Sequence, residues 1–413
     1  MERGSGGGAV VAVGVRVRRG PVSASNPTCG DPILGGLTPQ DAGFTEEDVE
    51  RARRYHRPLY VSWGASLLID LAVLASVTFA LPSWLTSGLP WPVRAAVITA
   101  ATLALLTIAG LPLGYAMGFV REHRWGFSTQ SLTGWAADKT KGFAIGTVLT
   151  ALLMTGFVGL ARTFPRTWPF VSAGGFGAVI LLLSFLSPVV FEPLFNRFEP
   201  LADERLSRRL KALAVEAGVP VRDVLVADAS RRTKKENAYV SGLGRTRRVV
   251  VHDTLLARGT SDELALVVAH ELGHRRMRHV LKGTVLGLAG GAAAVAVLWV
   301  VLRSGLLLRW AGANGPGDPR VIPLVLLVSA LLQLAASPFE AALSRRWETA
   351  ADRFSLGLSG DLAVFEAAHV GLARSNLGDL DPPRLVYLLT FSHPTAPERI
   401  ADARRWTSVR SGA

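Results

Sequence analysis

The sequence of 413 residues is too apolar for an ordinary soluble protein, with 49% hydrophobic residues and a mean hydropathy of +0.31. Its 45 Lys and Arg against 32 Asp and Glu give a net charge of +13, but no RNA- or DNA-binding motif accompanies it. We therefore expect no nucleic-acid partner, because membrane proteins collect Lys and Arg in their cytoplasmic loops. The single cysteine, Cys29, excludes an intramolecular disulfide and a cysteine-based zinc site.

Residues 1–43 are rich in Gly and Arg and contain no long apolar core, which predicts a disordered tail without a cleaved signal peptide. Six later stretches are long enough to cross a bilayer, which takes about 20 apolar residues. These stretches are 60–81, 93–119, 142–163, 170–191, 280–302 and 321–343. They predict a mainly α, polytopic helical membrane protein, with four spans within 44–191 and two within 280–343.

The charges around the first span predict the orientation of the chain. Its N-terminal flank carries Arg51, Arg53, Arg54 and Arg57, whereas residues 82–92 after the span carry no charge. This contrast places both termini in the cytoplasm. The long loop before the fifth span then lies on the same side of the membrane as the chain after the sixth span.

The long loop, residues 192–279, is predicted to form a cytoplasmic domain with a small β-sheet. Leucine spacing favours a helix over 202–217, and a further helix is expected to begin at Ser261, its predicted N-cap. Three short runs are typical of strands: 224–227, 238–240 and 249–251. After the sixth span, residues 344–413 form a C-terminal segment, with helices predicted over 361–375 and 383–392.

The most informative segment is His-Glu-Leu-Gly-His at residues 270–274. On a helix, residues four apart share one face, so both imidazoles can bind one metal ion. Glu271 lies beside them, where it can act as a general base on water. This is the H-E-x-x-H signature of a zinc peptidase, although a charged helix with two surface histidines is the alternative for the pentapeptide alone.

A catalytic zinc ion takes three protein ligands and keeps one open position. His279 is a candidate for the third, but it follows His274 by five residues and so lies on another face of a continuous helix. Glu348 offers a carboxylate, and Asp352 one turn later offers a second carboxylate that can accept the N–H of a ligand histidine. The alternative for this segment is a surface helix with alternating charges.

Several motifs together resemble the type I CAAX prenyl protease family of integral membrane zinc endopeptidases, from about Phe44 to the end of the chain. The matching segments are H-E-L-G-H, S-R-x-x-E-x-x-A-D at 344–352, N-A-Y at 237–239, S-H-P-T at 392–395 followed by Arg399, E-H-R-W-G-F at 122–127 and P-L-F-N at 193–196. The eukaryotic members have seven spans, whereas six are counted here.

The resemblance implies one zinc ion per chain, with Glu348 as the third ligand, in a helical membrane chamber. Residues 192–279 would be the metalloprotease domain that caps this chamber, and residues 344–413 would complete the active site. The implied catalytic residues are Glu271, Asp352, His393 and Arg399. The implied substrate-binding residues are Asn237, Ala238 and Tyr239. The strand around 237–240 can pair with an extended peptide as an added edge strand, or it can be an ordinary hairpin strand.

These features favour a membrane-embedded zinc endopeptidase whose partners are membrane lipids and a peptide or protein substrate, lipidated or membrane-inserted. Two substrate classes remain open: the C-terminus of prenylated Cys-a-a-X proteins, and membrane proteins or peptides cleaved in quality control. A bacterial origin would favour the second. A transporter or sensor with a structural metal site is the alternative of another class, and it predicts charges and broken helices within several spans. The oligomeric state is not indicated.

Overall fold

The computed structural model describes residues 37–81, 87–242 and 244–411. The predicted N-terminal tail lies outside the described residues as far as residue 36, and so does Cys29. Residues 37–43, which the prediction also assigned to the tail, form a turn. Ala42 in this turn and Phe44 just after it are buried against Leu380 and Ile400. The chain entering the first span therefore packs on the C-terminal segment.

Six helices are long and apolar enough to cross a membrane, which confirms the predicted number of spans. At most 28% of the apolar window of any one of them is buried within the protein, so most of this surface faces outward, as lipid contact requires. We number them spans 1 to 6: Glu46–Ala80, Trp91–Arg124, Leu132–Thr163, Trp168–Phe195, His279–Val301 and Pro319–Ser359. The mainly helical fold class is confirmed.

A four-stranded sheet follows span 4 and consists of β1 (Phe198–Pro200), β2 (Asp223–Ala227), β3 (Ala238–Ser241) and β4 (Arg248–His252). The strands lie side by side in the order β1-β2-β4-β3. β2 and β4 are parallel, and the two outer pairs are antiparallel, so β3 lies at one edge. Three strands match the predicted runs, whereas β1 was not predicted, since its three residues are too few to show alternation.

Spans 2 and 4 hold the segments beside β3. Each changes to a π-helical turn near its end, and Glu122 and Glu192 are the first residues after these turns. The Glu122 carboxylate lies 3.1 Å from the Lys235 ammonium, three residues before β3. Glu192 accepts a hydrogen bond of 2.7 Å from the Ser241 hydroxyl at the end of β3. The bundle thus fixes the edge strand at both of its ends.

The helix Ser261–Arg276, here called the motif helix, carries the two histidines. The prediction of Ser261 as its N-cap is wrong, because Thr260 takes that position and forms a capping box with Glu263. Both residues are suitable caps, so the choice depends on the backbone. The other helices outside the spans are Glu204–Glu216, Asp253–Leu256, Gly305–Trp310, Leu362–Asn376, Arg384–Thr390 and Ala396–Ser411. Three of these were not predicted: Asp253–Leu256, Gly305–Trp310 and Ala396–Ser411.

The motif helix packs closely on span 6. Its apolar residues Leu264, Val268 and Leu272 are buried in the core that it shares with the sheet. On the side facing span 6, a methyl group at Gly273 would lie 3.0 Å from the Phe354 ring, so glycine permits this close approach. The short distance brings the histidines within reach of the carboxylates on span 6.

Candidate metal centre and active site

Three side chains from two helices converge at one point. His270 and His274 project from the motif helix, and Glu348 projects from span 6 and is buried. The Nε2 atoms of the two histidines lie 3.1 Å apart. Glu348 places Oε2 3.2 Å from Nε2 of His270 and Oε1 3.3 Å from Nε2 of His274. The predicted ligand set is thus brought together.

The donor set fits a zinc ion. Zinc ligands at about 2.0–2.1 Å in tetrahedral geometry lie roughly 3.3 Å from one another, close to the separations seen here. Both imidazoles direct Nε2 to the group, because their Nδ1 atoms contact other side chains. Two neutral imidazoles and one carboxylate would leave a bound Zn²⁺ with a net charge of +1.

Behind His270 lies a buried ionic network. The imidazole Nδ1 of His270 is 2.8 Å from Oδ1 of Asp352, which follows Glu348 by one helical turn. Arg399 on the helix Ala396–Ser411 donates from Nε to the other Asp352 oxygen at 2.7 Å. Burial opposes protonation of His270, but the hydrogen bonds to Asp352 and Glu348 outweigh it and raise the pKa of His270 to about 9. Because its guanidinium donates to both oxygens of Asp352, Arg399 is engaged with that carboxylate rather than directed freely into the cavity.

His274 has a different neighbour. Its Nδ1 lies 3.0 Å from Nδ1 of His279, the first residue of span 5. His279 is buried, and its ring stacks on Trp347 with centroids 5.0 Å apart and planes 9° from parallel. The prediction that His279 lies on another face assumed a continuous helix. The motif helix in fact ends before it, and the chain turns at Arg278 in the left-handed conformation.

A cavity of about 480 Å³ opens beside the metal group. Glu271 and His393 both line it, and Nε2 of His393 lies 3.4 Å from Oε2 of Glu348. Burial raises the pKa of Glu271 above its ordinary value, against the opposing effect of the two neighbouring histidines. Partial loss of hydration beside the cavity also lowers the pKa of His393, although most of its side chain is exposed, so its imidazole is neutral near pH 7. A basic carboxylate and a neutral imidazole thus face the same space.

The edge strand β3 forms one wall of this cavity. Asn237 and Ala238 line it, whereas the Tyr239 ring packs edge to face against His252. In the antiparallel register Tyr239 pairs with Val250, and the backbone N–H of His252 donates to the carbonyl of Asn237. Hydrogen-bonded pairs alternate along such a ladder, so the N–H and C=O groups of Ala238 point to the free edge.

Two residues that sequence reasoning missed hold this wall in place. The Asn376 amide accepts from the N–H of Glu236 at 2.9 Å and donates to its carbonyl at 3.0 Å. Arg275, next to His274, donates to the carbonyl of Val240 on the free edge of β3. A lone Asn and one Arg among many carry no recognisable pattern, so only the fold identifies them.

The comparisons with known proteins agree with a membrane-embedded metallopeptidase. Residues 200–407 match the profile of peptidase family M48. Residues 40–197 match the profile described as the CAAX prenyl protease N-terminal region, with five membrane helices. The chain belongs to peptidase family M48 and is a multi-pass membrane zinc metalloprotease, which confirms the resemblance found in the motifs. Among the described residues four spans lie within 40–197, one fewer than that description.

Relatives from bacteria and eukaryotes cover most of the chain. YhfN of Bacillus subtilis (strain 168), an uncharacterized metalloprotease, is 29% identical over 82% of this chain and 80% of its own. CAAX prenyl protease 1 of Saccharomyces cerevisiae is 27% identical over 72% of this chain and 69% of its own. The crystal structure of Ste24p from S. mikatae superposes with a TM-score of 0.77, covering 89% and 91% of the two chains at 23% identity. The last comparison shows a shared fold.

Proposed function

We propose that this chain is a zinc endopeptidase that cleaves membrane-anchored peptides on the cytoplasmic face, with one zinc ion bound by His270, His274 and Glu348. The observation that carries the proposal is the convergence of three donor atoms within 3.1–3.3 Å, beside Glu271 and an open strand edge. When bound, zinc supplies Lewis-acid chemistry, polarising a carbonyl and making water more acidic.

The side chains around the group divide the work of hydrolysis. Glu271 takes a proton from the attacking water as the water oxygen bonds to the carbonyl carbon of the substrate. Glu271 then gives that proton to the leaving amine as the C–N bond breaks. Its pKa, raised by burial, suits both steps. His393, exposed at the cavity, is placed to hydrogen-bond the carbonyl oxygen as charge develops on it. Arg399 acts through Asp352, holding the carboxylate that orients His270.

The substrate is proposed to bind as an added strand along β3. The main-chain groups of Ala238 at the free edge and the side chain of Asn237 would align it across the cavity. Because main-chain hydrogen bonds do not distinguish side chains, selectivity at the cleaved bond should be loose. The metal ligands lie beside the start of span 5 and on span 6, so the cleaved bond is held close to the membrane.

Two kinds of anchored substrate fit the proposed site. The similarity to CAAX prenyl protease 1 supports C-terminal processing of prenylated Cys-a-a-X proteins as the first. Cleavage of membrane proteins or peptides in quality control is the second, and the similarity to a bacterial metalloprotease is compatible with it. A transporter or sensor is disfavoured because the polar site groups gather at one end of the bundle.

A matched set of peptides tests the proposal. One sequence is made with a prenylated C-terminal Cys-a-a-X, with an apolar membrane segment, and without an anchor, and kcat/KM is measured in liposomes. We expect both anchored forms to be cleaved faster than the free peptide, and Glu271→Gln to slow the cleavage of all three peptides by about 10²–10⁴-fold. Equal kcat/KM for anchored and free peptides would refute the membrane-anchored mechanism. The ratio of the two anchored forms decides between the substrate classes.

Orientation is tested separately. The Arg-rich flank of span 1 supports cytoplasmic termini. Reporter fusions within residues 82–92 should read as external, and fusions after residue 413 should read as internal. The reverse readings would move the active site to the outer face without affecting the zinc chemistry.

A further inference from the structure

The contact between His274 and His279 takes no part in proton transfer or in substrate binding. The two Nδ1 atoms are 3.0 Å apart, which is hydrogen-bond distance. His279 is only 5% exposed, and its ring is held by the stack on Trp347, the residue before Glu348. The ring of His279 therefore has one defined orientation next to a metal-ligand candidate.

The local backbone creates this contact. In a continuous helix, five residues turn by about 500°, which would direct His279 about 140° away from His274. The motif helix instead ends at Arg276, and Arg278 has φ 58°. A left-handed conformation costs roughly 1–2 kcal/mol for a residue with a Cβ, so this turn is maintained against a local preference. Its effect is to bring the His279 ring back onto His274.

The hydrogen between the two rings can be assigned. His274 directs Nε2 toward Glu348 and His270, where a metal ion requires its lone pair. Its only hydrogen is then on Nδ1, and the atom within hydrogen-bond distance of Nδ1 among the described residues is Nδ1 of His279. His279 must accept at Nδ1, so it is neutral and carries its own hydrogen on Nε2.

We propose that His279 is a positioning residue, whose neutral imidazole accepts the Nδ1 hydrogen of His274 and thereby fixes the orientation and tautomer of that ligand. This inference rests on the proposed function, because it concerns the use of His274 as a zinc ligand. It assigns to a histidine at the start of span 5 the part that Asp352 plays for His270. Metal-bound histidines generally need such a partner, and its loss typically lowers metal affinity by about 10–100-fold.

Two substitutions separate the hydrogen bond from the ring stack. His279→Phe keeps a flat ring on Trp347 and removes the acceptor. His279→Asn loses the ring but places an amide oxygen where Nδ1 lies. The full-length protein is purified in detergent, and apparent zinc affinity is measured by competition with a chelator. Visible absorption of the cobalt-substituted protein reports on ligand geometry, and thermal unfolding of each metal-free variant checks its folding.

We expect His279→Phe to bind zinc about 10–100-fold more weakly and to change the cobalt spectrum, while His279→Asn stays near the wild type on both readouts. Any other order overturns the inference. In particular, normal binding by His279→Phe with weak binding by His279→Asn would show that only the stack matters. A wild-type chain that binds no zinc would instead refute the proposed function itself, so the two failures are distinguishable.

Discussion

The two histidines of the metal group occupy equivalent places in the H-E-x-x-H motif, but the regions behind them are chemically different. Behind His270 lies a carboxylate, Asp352, bonded in turn to Arg399. Behind His274 lies an imidazole, His279, stacked on an indole. The first region is ionic and depends on the C-terminal helix. The second depends on ring packing and on a backbone turn at the membrane surface.

Two identical ligand histidines are thus held by chemically different hydrogen-bond acceptors. A carboxylate acceptor makes its histidine a stronger electron donor than a neutral acceptor does. The ionic region is thus expected to contribute more to metal affinity, and the aromatic region to couple the metal group to spans 5 and 6. Four substitutions test this comparison.

Glu348 contacts both histidines, so its removal should prevent metal binding, whatever groups lie behind His270 and His274. We expect purified Glu348→Ala to fall from about one zinc ion per chain to almost none and to lose peptide cleavage, as measured by metal analysis and hydrolysis. Glu340→Ala is the matched control on the same helix, since Glu340 is exposed and accepts from Gln333. Full zinc content in Glu348→Ala would refute the ligand assignment.

Glu271 lies between the two histidines and should affect chemistry alone. Glu271→Gln is expected to keep its zinc and to lower kcat by roughly 10²–10⁴-fold, the usual contribution of a general acid–base residue. Glu263→Gln, which alters only the capping box of the same helix, serves as the control. A Glu271→Gln enzyme of normal activity would mean that another group activates water.

Asp352 tests the ionic region directly. Asp352→Asn should weaken zinc binding by about 10–100-fold, and by more than His279→Phe does. It should also destabilise the fold, because Arg399 is left buried without its carboxylate. The double variant Asp352→Asn with Arg399→Gln should recover thermal stability and not zinc affinity. Recovery of both would show that Asp352 serves only to neutralise Arg399.

Gly273 tests the spacing on which both regions depend. In Gly273→Ala the new methyl group would lie 3.0 Å from the Phe354 ring. We expect a loss of about 1–3 kcal/mol from overpacking, partly offset by the gain of about 1 kcal/mol from alanine in a helix. Thermal unfolding in detergent measures the change. Adding Phe354→Leu should reverse it, and a higher unfolding temperature in the single variant would mean that the helices separate freely.

Pattern and spacing predicted the spans and the three ligand candidates, because both depend on repeated or regularly spaced residues. They could not predict the partner of His274, because a left-handed Arg278 interrupts the helical rule and arginine has no preference for that conformation. The helix Ala396–Ser411 was also missed. It is mostly polar, and the residues it buries, such as Ala401 and Ala403, give a weak apolar pattern.

The helix that carries Glu348 and Asp352 is continuous from Ile322 to Ser359, 38 residues in all. At about 1.5 Å per residue it is roughly 57 Å long, nearly twice the thickness of a bilayer's hydrocarbon core, which is about 30 Å. A single helix therefore connects the far side of the membrane to the ligand carboxylate. The height of the metal group above the lipid is set by the part of this helix between Ile322 and Glu348, so thicker bilayers should bring the cleaved bond nearer to the anchor of the substrate.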